Sequence, residues 1–387
     1  MDFNLTNEQL SLQEAARRFA QEQLPELAAE LERTSDSVPD TWMKRYAELG
    51  FLGVNISTQY GGLGLGPLEA LIVMEEFAKV SGAVGFPVFE SCTGPVKVIE
   101  RYGSDALKAR VIPRVCSGDM IIAISMSEAD AGTALTDLKT RGQIVGDKVI
   151  LNGAKRWCSG GGHSDGYLVY CRLDEAPGAK GIGAVYVDKG TPGLSFGARE
   201  QLMGFRGVAS ADIYLDNVEV PIDQIVIPAG GFPKLMAAFG LERCGNAIMS
   251  LAQAAGALDD VTEYVQERRQ FGQPLVDFQA VQLRLAEMKM KVEAARLLIY
   301  RAACNAGADN PSTLDASLAK CFSNEISREV TGSAIQLMGG YGYSKENSME
   351  RRFRDSWGWG IAGGAIDIQK VNITSAMIGR RFNQRRN

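Results

Sequence analysis

The spacing of apolar residues changes period twice along the chain, and that change limits the fold more than any single residue does. From Asn7 to Glu32, NEQLSLQEAARRFAQEQLPELAAELE, apolar side chains recur every three or four positions, the spacing of one helix face. Thr6 stands just before this run with Gln9 three positions on, which reads as a capping box. After a turn at Tyr60-Gly61-Gly62-Leu63-Gly64, LEALIVMEEFAKV reads as a second apolar helix and Asp105 to Cys116 as another. Near Met120 the pattern shifts to short β-branched runs separated by Gly, Asp and Asn: IIAISMSEADAG, KVILNGAKRWCSGG, GYLVYCRL, GIGAVYVDKG and SADIYLDNVEV. These predict a small antiparallel β domain ending near Pro228. Helical periods then return over 232–270, 278–307 and 314–340, apolar on broad faces as in an antiparallel bundle. The expected fold is therefore α+β: a helical domain over 1–120, a β domain over 121–228 and a four-helix-bundle domain over 229–387.

Composition removes several function classes. A formal charge of -5 with no basic stripe argues against nucleic-acid binding. No apolar run is long enough to span a membrane. The opening MDFNLTNEQL is acidic and polar, unlike a secretory signal or an Arg-rich transit peptide. A cytoplasmic location is expected, or a mitochondrial matrix if a transit peptide has been removed. The seven cysteines are odd in number and include no CxxC, so free buried thiols are expected rather than disulfides or a zinc site. His163 is the only histidine, which excludes schemes built on a histidine base and any multi-histidine metal centre. It falls in the turn GGGHSDG and reads as a surface residue. No metal site is expected.

Motifs in the three blocks add chemistry to this layout. They are YGGLGLG at Tyr60 to Gly66, SMSEADAGT at Ser125 to Thr133, KRWCSGGG at Lys155 to Gly162, ERRQFGQPL at Glu267 to Leu275, and QLMGGYGYS at Gln336 to Ser344. In this order the chain resembles the acyl-CoA dehydrogenase family over nearly its whole length. The resemblance implies FAD as cofactor, an acyl-CoA substrate, an electron-transfer flavoprotein as partner and a homotetramer. It implies that Met126, Ser127, Gly132 and Thr133 meet the flavin through a β loop, with Thr133 also near the substrate. Ser127-Glu128-Ala129 stands where the family usually has Thr-Glu-Pro, so the hydroxyl is kept and the proline is not. Trp157 and Ser159 match the family's Trp-x-Thr/Ser, an indole against the ring system and a hydroxyl near its reactive nitrogen. Arg268 suits a pyrophosphate, with Gln270 and Phe271 beside it, and in the family this arginine serves a neighbouring subunit's FAD. Gln279 reads as an adenine-side contact. Gln336, Gly339 and Gly340 complete that composite site, the glycines letting backbone approach phosphate, and Ala365 and Asp367 fall in the flavin-side loop. No GxGxxG follows a strand, so no Rossmann site is expected.

Family chemistry needs a carboxylate on one side of the acyl chain and the flavin on the other, to take the α proton as the β hydride leaves. Many members carry that glutamate in a loop reading Tyr-Glu-Gly-Thr. Here the segment is RDSWGWGIAGGAIDIQ, and counting from Arg354-Asp355 or back from Ile368-Gln369 puts Gly363 at the position. Another branch, typified by isovaleryl-CoA and long-chain enzymes, carries the glutamate on a helix as Leu-Glu-Arg. Leu241-Glu242-Arg243 matches it, so Glu242 is the expected base, with Arg243 and Gly363 as substrate contacts. Gly245 and Asn246, one turn on, are expected to leave room beside it, and Asp367 and Glu90 are the fallback carboxylates. The same scaffold also serves enoyl-CoA reduction or acyl groups on a carrier protein. Flavin monooxygenases and silent subunits of the family lack a positioned base, and Glu242 argues against them.

Overall fold

The structure, a computed structural model, describes residues 4–307 and 310–382. Seven helices come first: α1 Asn7–Gln23, α2 Pro25–Thr34, α3 Asp40–Glu48, α4 Pro67–Val80, α5 Gly82–Cys92, α6 Pro95–Tyr102 and α7 Asp105–Cys116. The capping box forms, with Thr6 Oγ1 accepting from the Gln9 amide at 3.2 Å and Gln9 Oε1 accepting from the Thr6 amide at 2.9 Å. The long first helix of the sequence reading breaks in two at Leu24, because Pro25 has no amide to donate and takes the first position of α2 instead.

One sheet follows, with β1 Ile122–Ser125, β2 Arg141–Val145, β3 Lys148–Ser159, β4 Gly166–Arg172, β5 Ile182–Asp188, β6 Leu194–Phe196, β7 Ser210–Pro221 and β8 Ile225–Ile227. The strand order is β6-β7-β3-β2-β4-β5-β8, with β1 beside β4. The sheet is mixed rather than antiparallel throughout, since Ile122 to Ser125 pair in parallel with Gly166 to Val169. The hairpin of β2 and β3 lies between these strands in sequence and supplies the crossover that a parallel pair requires.

The last block holds α8 Phe232–Glu267, a short hairpin of β9 Arg269–Gln270 and β10 Gln273–Pro274, α9 Gln279–Ala306, α10 Thr313–Met338, α11 Gly340–Tyr343, α12 Met349–Trp359 and α13 Ile366–Ile378. α8 is buried along most of its length against α4, α9, α10 and α12, and one continuous core runs from the first block into this one. A buried ion pair between Arg296 and Glu75, 2.6 Å, ties α9 to α4. The exposed side of α9 carries Leu283, Met290 and Leu297 at seven-residue spacing. Of the seven cysteines, Cys304 is exposed and the other six are buried, all as free thiols.

Candidate active site

Two loops of the β domain are locked to one another. The segment after β1 turns tightly, Glu128 and Ala131 exchanging backbone hydrogen bonds. The Ser127 carbonyl accepts the Arg156 amide at 2.9 Å, which fastens this loop to β3. Beneath it Lys155 is fully buried and donates to the Met126 carbonyl at 3.0 Å and to Glu128 Oε1 at 2.8 Å. Burial works to raise the Glu128 carboxyl, but Lys155 and the Thr140 and Lys139 amides outweigh it and hold it below its ordinary range. Between Lys155 and Cys158 the register of β3 against β7 slips. That bulge turns Trp157 out of the sheet at φ +62°, 52% exposed, with Arg156 over its ring at 4.3 Å. Ser159 is partly buried, Gly132 and Thr133 are exposed, and a β-carbon at Gly132 would meet nothing within 4 Å.

A second group gathers at one end of the bundle. Arg268 follows the last turn of α8, and one turn earlier Tyr264 packs on Tyr341 of α11 with ring centroids 5.9 Å apart. The Arg268 loop and the Gln336 to Gly340 turn are thereby neighbours. Arg268, Gln270, Gln279, Gln336, Gly339 and Gly340 are exposed, Phe271 is 96% exposed, and the Arg268 guanidinium has no ion pair among the described residues. β-carbons at Gly339 and Gly340 would also meet nothing within 4 Å.

The third group surrounds Glu242. Three turns into α8, this residue keeps some exposure, yet burial of its carboxyl pushes it up to about 7 against the pull of Lys320 and Arg243. Its Oε1 lies 3.6 Å from the point a β-carbon on Gly363 would occupy, and the Lys320 ammonium lies 3.2 Å from the same point. Gly363 and Gly364 have φ of +63° and +90°, a left-handed turn that glycine makes without a steric penalty. The turn is lashed to the bundle. Lys320 of α10 donates to the Ala362 carbonyl, Asn246 Nδ2 reaches the carbonyls of Trp359 at 3.0 Å and Ala362 at 3.4 Å, and Gln369 donates to the Gly364 carbonyl at 3.1 Å. Glu90 of α5 also faces Glu242. Burial, reinforced by Glu242, drives its carboxyl well above the ordinary range. Tyr170 of β4 and Arg243 border the group, and the Tyr170 hydroxyl, Arg243 Nε and Glu90 Oε2 are buried with no hydrogen-bond partner among the described residues.

Family models match all three blocks: the acyl-CoA dehydrogenase N-terminal domain over residues 6–119, the middle domain over 123–218 and the C-terminal domain over 229–378. Among similar proteins, a 3-sulfinopropanoyl-CoA desulfinase of Paraburkholderia xenovorans is 36% identical, over 99% of this chain and 99% of that protein. Butyryl-CoA dehydrogenase of Megasphaera elsdenii superposes with a TM-score of 0.94 at 31% identity, over 98% of this chain and 100% of that one. A complex of PigA with FAD superposes with a TM-score of 0.92 at 27% identity, over 98% of this chain and 99% of that one.

The chain belongs to the acyl-CoA dehydrogenase family.

As an acyl-CoA dehydrogenase it is an oxidoreductase acting on a CH–CH bond, and its cofactor is a flavin. The residues present fit such a group: an exposed indole on a bulge, open space at Gly132, and an arginine with no ion pair among the described residues, near two bare glycines. The carboxylates outside α8 separate in space, because Glu90 faces Glu242 while Asp367 is exposed in the first turn of α13, which starts after Ala365. Gly245 does not open space for the base as expected. A β-carbon there would lie 2.4 Å from Thr93 Oγ1, so the glycine admits the end of α5, and Asn246 is spent on the Gly363 turn. His163 is partly buried rather than a surface residue and lines a cavity of about 30 Å³ that Glu90 also lines. Sequence reasoning missed Lys155, Glu128 and Lys320 as site residues. The available signal was a lone lysine in an otherwise small and apolar stretch, as in ASLAKCFS.

Proposed function

We propose that this acyl-CoA dehydrogenase uses FAD and that Glu242 takes the α proton of the acyl thioester, giving a 2-enoyl-CoA. The observation that carries the reading is the 3.6 Å between Glu242 Oε1 and the position a Gly363 β-carbon would take. That closeness supports a helix carboxylate serving where the resemblance expects a loop glutamate. Partial exposure lets Glu242 meet a substrate, and a carboxyl pushed up to about 7 is a stronger base than an ordinary one yet still ionises near neutrality. Trp157, Ser159 and the Met126–Thr133 loop would hold the FAD, which would supply the acceptor for the hydride leaving the β carbon. Arg243 borders the thioester end. An electron-transfer flavoprotein is the proposed electron acceptor.

Purified protein is expected to be yellow with about one FAD per chain, and a panel of acyl-CoAs added anaerobically is expected to include one that bleaches it rapidly. Colourless protein that takes up no added FAD would sink the cofactor assignment. Bleaching by none of the panel would instead favour a non-dehydrogenating use of the scaffold.

The proposed assembly is a homotetramer in which Arg268, Gln270 and Phe271, with Gln279 and the Gln336–Gly340 turn, serve the FAD of a neighbouring subunit. The exposed Leu283–Met290–Leu297 row on α9 supports an apolar seam between copies. Arg268→Ala is expected to loosen FAD and shift the light-scattering mass below that of a tetramer. A variant that keeps both FAD and mass would leave Arg268 as an ordinary surface arginine.

A further inference from the structure

We propose that Lys320 is a positioning residue for the base, its buried ammonium supplying the counter-charge that faces Glu242 across the Gly363 turn. The inference rests on the reading of Glu242 as the base.

Three features of the site carry it. Lys320 is fully buried in α10, and an ammonium group has three donors, of which one has an acceptor among the described residues, the Ala362 carbonyl. Holding that carbonyl does not need a charge, because the neutral amide of Asn246 already reaches it at 3.4 Å. A buried cation kept where a neutral donor would serve the turn points to a second partner, since removing a charge from water is expensive unless another charge offsets it. That partner is Glu242: its Oε1 and the Lys320 ammonium stand 3.6 Å and 3.2 Å from one point, the missing β-carbon of Gly363. Any side chain at 363 would press on the ammonium, so the glycine keeps the space between the two charges open.

The groups facing Glu242 divide by charge. Lys320 from α10 and Arg243 on α8 favour its ionised form, while Glu90 from α5 and the Tyr170 hydroxyl from β4 offer no cation; the 360–364 turn carries no titratable side chain. Lys320 also faces Arg243 and its neighbour Cys321. Burial lowers the Lys320 ammonium, and Glu242 opposes that loss of charge. Removing the cation raises the carboxyl further, so the ionised base is reached only at higher pH.

The test is Lys320→Met and Lys320→Arg in the flavin-loaded enzyme, with a substrate that bleaches wild type. Two readouts serve: stopped-flow flavin reduction and exchange of the acyl α proton with D2O by NMR, each from pH 6 to about 9.5. In Lys320→Met the rising limb is expected to move up by about one unit, so both rates fall about fivefold at pH 7 and about tenfold near pH 6, and approach wild type at high pH. Lys320→Arg is expected to hold the limb near its wild-type position. An unmoved limb, or a loss equal at every pH, overturns the proposal, the second outcome being that of a lysine that only braces the Ala362 carbonyl. Glu242→Gln run beside them separates the two readings. If it keeps both rates, the base assignment fails. If it loses them while the Lys320→Met limb stays in place, only the counter-charge fails.

Discussion

Glu242→Gln is expected to slow flavin reduction by about 10²-fold or more while acyl-CoA binding and flavin content stay near wild type. The amide keeps the size and hydrogen bonding of the carboxyl and removes its basicity, so a loss confined to the chemical step reports proton abstraction. α8 is held by its apolar faces and the turn opposite by Lys320, Asn246 and Gln369, while the buried Lys320 loses its counter-charge, so the variant's urea midpoint is read beside its flavin content and rate. The wild-type rate is expected to climb with pH through about 7, since burial raises the Glu242 carboxyl to that value and the base works only when ionised. Glu242→Gln should flatten that climb. Near-wild-type reduction would move the role to Glu90, the other carboxylate facing the same space, although burial and Glu242 both oppose its charge.

Glu128→Ala is expected to be the most destabilising substitution in the flavin-side loop, at about 3–5 kcal/mol, because it strands the fully buried Lys155 ammonium without its counter-ion. The loss should show as a lower urea midpoint and as reduced flavin content, since the same carboxylate also accepts the Thr140 amide at 2.9 Å and the Lys139 amide at 2.6 Å. Glu128→Gln, which keeps an acceptor, should cost less. In wild type the contribution has a defined pH window. The Glu128 carboxyl is held below its ordinary value of 4.5 in the folded chain, so its stabilisation is complete above that value and is lost as pH falls through the lower folded one. A Glu128→Ala protein as stable and as yellow as wild type would show that the loop is held by its backbone bridge alone.

Much of this fold could be read from the chain itself. The helices around Leu68 to Val80, Asp105 to Cys116 and Phe232 to Glu267, and the strands of the β domain, follow from local period and β-branched content, which act over neighbouring residues and need no tertiary partner. α5 was invisible for the opposite reason. GAVGFPVFESC contains two glycines and a proline and drew no reading of its own, yet Gly85 packs within 3.1 Å of Met249 at the position of its missing β-carbon, so burial against α8 outweighs poor propensity.

The sequence by itself determined which residue types were available: a glycine at 363, a glutamate at 242, an indole and a hydroxyl two residues apart, and an arginine pair ahead of a glycine-rich turn. Tertiary structure alone decided which of them share an environment. Glu242 and Lys320 are 78 residues apart by their numbers, and only the packing of α10 on α8 faces them across Gly363. Their charge states follow from that packing too. Removing two groups from water and setting them beside one another shifts both proton equilibria, and neither burial nor proximity is a property of a residue's place in the chain.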